Sequence, residues 1–124
     1  MRVDMHRQKI ERMLRTLDKL DDEEDHETVI EVCVLVCSHA ANLGMHVRGT
    51  LKVSQDIKHN RLPGELRRWE RLGEKSAEVA DLLDRIERMR PLHVYGTGRN
   101  GGSAKVAREI AHLIIGLCTE GETS

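Results

Sequence analysis

The fold turns on HETVIEVCVLVCSHAANLGMH, residues 26–46. Its first half, Val29 to Cys37, is apolar almost without interruption and rich in β-branched residues, the composition of a buried strand. Length decides against that reading. Ala40, Ala41 and Leu43 carry the apolar face well past the five or six residues, roughly, of an ordinary strand, so the segment is expected to be a helix from about His26 to about His46. A helix that apolar on every side is either the centre of a core or half of a subunit interface, and both roles are expected here.

Before it, Ile10, Met13, Leu14, Leu17 and Leu20 recur at steps of three and four, the stripe of an amphipathic helix over residues 5–20. The acidic cluster DDEED, residues 21–25, ends that helix and suits the positive N-terminus of the next. After it, RGTLKVSQDIKHNRLPGE, residues 48–65, is a long polar connection closed by a proline–glycine pair. A third helix is expected to about Met89, with Leu66, Trp69, Leu72, Ser76, Val79, Leu83 and Ile86 forming its seam. Pro91 lacks an amide proton and biases Arg90 away from helical angles, so the helix should stop there. A fourth helix should open on Ser103 as N-cap and run through Val106, Ala107, Ile110, Leu113, Ile114 and Leu117. The expected fold is all-α: a single antiparallel four-helix bundle over residues 1–118, dimeric through the apolar helix, with a frayed tail over 119–124.

Composition agrees with this class. The chain has 124 residues, no Phe, one Trp and one Tyr, so its core must be aliphatic, which favours helix packing over a β-sandwich. A net charge of −1 does not by itself announce a nucleic-acid binder. The charge is unevenly spread, however. Arg85, Arg88, Arg90, Arg99, Lys105 and Arg108 stand against Glu87 alone, a local balance of +5 that leaves −6 on the rest of the chain. Such a run is either a solvated face or an anion site. Cys33 and Cys37 are one helical turn apart with His39 nearby, but their apolar surroundings fit buried thiols better than a metal pair. No metal site and no cofactor are expected. An odd cysteine count of three, no leader pattern and no apolar run near about 18 residues point to a reduced, cytoplasmic protein that does not enter a membrane.

The basic excess surrounds ERMRPLHVYGTGRNGGSAK, residues 87–105. On an unbroken helix the five-residue step from Arg88 to His93 turns about 140°, aiming the two apart. A break at Pro91 would let guanidinium and imidazole converge. That pair suits phosphodiester transfer, because imidazole titrates near neutrality and guanidinium offers a forked donor to phosphate. Arg88, His93 and Tyr95 form an Arg-x4-His-x-Tyr pattern after the third helix of a small bundle, which resembles the signature of HEPN-domain proteins. Within that family it is most similar to toxins paired with a minimal nucleotidyltransferase. The resemblance implies a homodimer with a metal-independent ribonuclease site at the subunit interface, cutting RNA through its own 2′-hydroxyl. It also implies that Arg88 holds the scissile phosphate, that His93 transfers the proton, and that Tyr95 is the hydroxyl to which a small nucleotidyltransferase partner attaches AMP. The residues themselves leave His93 open as a helix-junction histidine, and Tyr95 as a ring covering the bundle end. They also fit a non-catalytic nucleotide-binding or partner-docking module.

GTGRNGGS, residues 96–103, lacks the Lys-Ser/Thr of a P-loop and no strand pattern precedes it. Its glycines could still expose amides to a phosphate at a helix start. The candidate contacts are Arg90, Arg99, Asn100, Gly101, Gly102, Ser103 and Lys105, against a plain interhelical loop as the alternative. A rival comes from EEDHE, residues 23–27, and EVAD, residues 78–81, which resemble the magnesium-binding acids of all-α nucleotide pyrophosphohydrolases; a solvated acidic helix start is the better account of the first. His39 and His46 are seven apart on one face of the apolar helix, where histidines satisfied by core or interface neighbours are the default, as for His112. Arg108 and His112 form a second Arg/His pair one turn apart, which the amphipathic pattern of the last helix explains.

Overall fold

A computed structural model describes the chain over residues 1–94 and 101–119, with side chains over 1–90 and 101–119. The protein is all-helical, with no strand among the described residues. Among the described residues five α-helices follow one another: α1 (Val3–Asp18), α2 (His26–Arg48), α3 (Leu62–Trp69), α4 (Ser76–Val94) and α5 (Gly101–Thr119). A single 3-10 turn, Gly73–Lys75, leads into α4.

The segment read as central is central. α2 packs against α1, α4 and α5, and from Val29 to His46 most of its side chains are buried within the chain. By length and composition α2 could cross a membrane, yet two thirds of its most apolar window, 67%, is buried under the other helices. α2 ends at Gly49, whose φ of +77° is the left-handed conformation that glycine adopts freely. There the amides of Gly49 and Thr50 donate to the carbonyls of His46 and Met45, closing the helix end. α2 and α5 run in the same direction: Gly101 opens α5 beside Glu23, and Cys118 near its end lies against Gly44. The approach at Gly44 is close, since an added Cβ would sit 2.9 Å from the Cys118 carbonyl oxygen. α1 and α4 run the opposite way, with Arg108 reaching the end of α1 and Arg90 the start of α2.

Three sequence expectations are corrected. The third helix is two helices. Glu70 takes a left-handed conformation at φ 46°, Gly73 does so at φ 63°, and the chain turns before Ser76, whose hydroxyl accepts the Leu72 amide at 2.9 Å. The seam survives the turn because Leu66, Leu72, Ser76, Val79, Leu83 and Ile86 are all buried; Trp69 leaves it, 57% exposed under the Arg68 guanidinium. Pro63, read as closing a connection, sits in the first turn of α3, where a missing amide proton costs nothing. Finally, α4 continues through Pro91 to Val94, and α5 starts at Gly101, two residues before Ser103. Pro91 lies in the last turns of α4, where it forgoes the one bond its amide would have given the Glu87 carbonyl, with three residues of helix beyond it.

Candidate functional site

The described parts of the basic stretch, the last turns of α4 and the first turns of α5, lie at one end of the bundle. There α4 and α5 enclose a cleft of about 450 Å³ lined by Arg85, Arg88 and Met89 from α4 and by Gly102, Ser103, Val106 and Ile110 from α5. Met89, Val106 and Ile110 give it an apolar floor, while two exposed guanidiniums stand at its rim. Arg88 Nε donates to the Asp84 carbonyl at 3.2 Å within its own helix, and among the described residues neither Arg85 nor Arg88 pairs with a carboxylate. An apolar slot edged by unneutralised cations fits a ligand with a flat or carbon-rich part and an anionic part.

The other predicted site residues divide. Arg90 is not open to a phosphate: its guanidinium forks onto Glu31 at 2.8 and 3.0 Å and also reaches Glu87 at 3.1 Å, tying α4 to α2. Those carboxylates hold its proton more tightly still, Glu31 most strongly. Gly101, Gly102 and Ser103 form the first turn of α5 instead of a loop, and the Glu23 side chain lies against Gly101, where an added Cβ would come within 2.8 Å of it. A side chain that carries a carboxylate therefore already packs on that helix start. Lys105 is exposed on α5. With α4 continuous, backbone register alone separates Arg88 and His93 by about 140° within one chain. The side chain of His93, and Tyr95, Arg99 and Asn100 altogether, lie outside the described residues.

The acidic motifs do not meet. Asp21 accepts the amides of Glu23 and Glu24 at 3.0 and 2.8 Å and Asp25 accepts that of Asp21 at 2.8 Å, so the DDEED segment caps its own turn. Glu78 and Asp81 stand at the start of α4, at the opposite end of α2, where Asp81 binds Arg67 at 2.7 Å. Arg108 binds Asp22 at 2.6 Å and donates to the carbonyls of Leu17 and Leu20 at 3.0 and 3.1 Å, closing the end of α1; it makes no pair with His112 for catalysis.

At that opposite end a second polar cluster is built from three segments. His6 of α1, His39 and His46 of α2, and Asp56 of the 49–61 connection converge there. His6 Nε2 and His46 Nε2 lie 3.0 and 2.9 Å from the same oxygen, Asp56 Oδ1. His6 Nδ1 faces His39 Nδ1 at 2.8 Å, and His46 Nδ1 faces the Leu51 carbonyl at 3.0 Å. The other carboxylate oxygen of Asp56 accepts from the Met1 amine at 2.9 Å. Burial would raise Asp56, but hydrogen bonds from the Met1 amine, His46 and His6 outweigh it and hold the carboxyl down at about 2. Burial lowers His6, against the pull of Asp56, and lowers His39 likewise.

The chain matches no family model, no curated protein and no solved structure.

The histidine spacing did carry a signal. His39 and His46 were legible as one face of α2, but His6 hides in the buried stripe of α1 and Asp56 in a polar connection that offers no period to read. Asn42 fixes that connection. Its amide group accepts the Ile57 N–H at 2.8 Å and donates to the Ile57 carbonyl at 3.0 Å, and no local pattern announces a clasp fifteen residues long.

Proposed function

We propose that the chain is a HEPN-like four-helix bundle that works as a homodimer in the cytoplasm, binding RNA at the α4–α5 end and cleaving it without a metal ion. The four long helices, alternating in direction with α2 at the centre, are consistent with such a bundle, with α3 as a short addition. The observation that carries the reading is Arg88. It stands without a carboxylate partner among the described residues at the rim of an apolar-floored cleft, on the same helix as His93.

In this reading Arg88 and Arg85 hold phosphate oxygens, and Met89, Val106 and Ile110 receive the sugar or base. His93 takes the proton of the RNA 2′-hydroxyl as that oxygen attacks phosphorus; the bond to the 5′-oxygen breaks, and the leaving oxygen takes a proton from an imidazolium. The angular separation of Arg88 and His93 on one continuous helix favours a site completed by a second copy, which can bring a guanidinium and an imidazole to the same phosphate. Tyr95, two residues beyond His93, would be the hydroxyl that a small nucleotidyltransferase modifies to silence the site.

The test is cleavage of labelled single-stranded RNA in EDTA. His93→Ala should slow it by about 10²–10⁴-fold, the usual contribution of general acid–base catalysis. Cleavage that survives the substitution, or that requires magnesium, refutes the enzyme reading. Binding without turnover in the wild type would instead favour the non-catalytic nucleotide-binding module, for which the apolar floor of the cleft is the supporting feature.

A further inference from the structure

We infer that His6, His46 and Asp56 form a binding site for one divalent first-row transition ion, with zinc the natural first probe, which fastens the 49–61 connection to α1 and α2. Neither the cleft nor its chemistry enters this inference, since the cluster lies at the other end of α2.

The direction of the hydrogen bonds carries it. A carbonyl oxygen only accepts, so at 3.0 Å from Leu51 O the Nδ1 of His46 must bear a proton. In a neutral imidazole that would leave Nε2 as a bare lone pair aimed at a carboxylate oxygen 2.9 Å away; without an ion a second proton fills that gap and makes the hydrogen bond to Asp56, and a metal ion would take that proton's place. Without that proton two acceptors would face each other at a side chain with 0% exposure; the Met1 amine sits on the other carboxylate oxygen, Oδ2, so the position between His46 Nε2 and Oδ1 calls for a cation of its own. His6 accepts either tautomer: with Nδ1 donating to His39 its Nε2 lone pair faces Asp56 Oδ1 at 3.0 Å and is open to a metal ion, and with His39 donating instead Nε2 donates to Asp56. An outer N–H fixed on a carbonyl or a second ring, with the inner nitrogen presented beside a carboxylate, is how proteins orient histidine ligands.

The spacing fits as well. Ligands about 2.0–2.2 Å from an ion in tetrahedral or octahedral geometry sit about 3.0–3.4 Å from one another. The two nitrogens are already 3.0 and 2.9 Å from the oxygen; they lie within 4.8 Å of each other and would draw together to about 3.0–3.4 Å as an ion binds, in the one cluster of three or more such ligands among the described residues. Two imidazoles and one carboxylate select a transition ion over calcium or magnesium. The side chain of Asp56 is 35% exposed, so the cluster lies within reach of solvent.

The alternative cation is a proton, which would make His46 an imidazolium. Titration of metal-stripped protein with Zn²⁺ against a chromophoric chelator separates the two. One ion should bind per chain, and Asp56→Asn, at the exposed edge, and His46→Gln should each weaken binding at least tenfold. Co²⁺ should give a d–d spectrum without thiolate-to-cobalt charge transfer, which also decides the matter should a variant fail to fold. No stoichiometric binding by the wild type, binding unchanged in Asp56→Asn, or a thiolate band from Cys33, Cys37 or Cys118 overturns the assignment.

Discussion

Replacing Arg108 by Met should unfasten the end of α1 while leaving α5 intact. The guanidinium reaches Asp22 at 2.6 Å and two carbonyls, Leu17 and Leu20, at 3.0 and 3.1 Å. Methionine keeps the aliphatic stem against its neighbours, so the loss is that of the charged head. Hydrogen bonds to a charged group are worth about 1.5–3 kcal/mol each, but both carbonyls share one nitrogen, and water can reach a pair that is a quarter exposed. A total of about 2–4 kcal/mol is therefore expected, a large part of the roughly 5–15 kcal/mol that holds a domain of this size together. Urea unfolding followed by circular dichroism reads it as a shift in midpoint at constant slope. Asp22→Asn in the same cycle should couple to Arg108→Met by about 1 kcal/mol or more. A loss below about 0.5 kcal/mol, the range of ordinary surface substitutions, would refute the role given to Arg108 as the cap of α1.

Gly44→Ala should destabilise the protein by up to about 2 kcal/mol in urea, because crowding against the Cys118 backbone outweighs the gain of about 1 kcal/mol in helix propensity; a stabilised variant would show that α5 yields there. Asn42→Ala strips both peptide groups of Ile57 of their partner and should cost about 2–4 kcal/mol, with faster hydrogen exchange at the Ile57 amide; unchanged exchange would contradict the clasp. Burial pushes the Cys33 thiol up to about 11 and that of Cys118 to about 12, so all three thiols, Cys37 included, should resist a thiol-reactive disulfide in the folded protein and react together in denaturant. A thiol with a raised pKa binds its proton more tightly folded than unfolded. Its contribution is whole below the unfolded value of 9.0 and is lost as pH rises toward 11 and 12, so the urea midpoint should fall from about pH 9 upward and hold steady below it.

The helices that were legible were those whose burial repeats with the helical period. α1, α2 and α5 carry such stripes, and the length of the apolar run in α2 was enough to overrule its strand-like composition. The break between α3 and α4 was not legible from the seam, because Leu72 and Ser76 remain buried on both sides of a turn made by Glu70 and Gly73. Pro91 misled in the other direction: its cost depends on how many turns follow it, and only Leu92, His93 and Val94 do. Charge counting located the cleft and Arg88, but could not tell Arg88, which has no carboxylate beside it among the described residues, from Arg90 and Arg108, which are held by acids distant in sequence. The His6–His46–Asp56 cluster joins three segments, and only folding brings them together.

The central claim, that the α4–α5 end holds a phosphate backbone through Arg88, is tested most directly by equilibrium binding of labelled single-stranded RNA to the wild type and to Arg88→Ala. Loss of a charged hydrogen bond to phosphate predicts affinity weaker by roughly 10- to 100-fold and a salt dependence shallower by about 0.7 per contact removed. Equal affinity and an unchanged salt slope in the two proteins would contradict it.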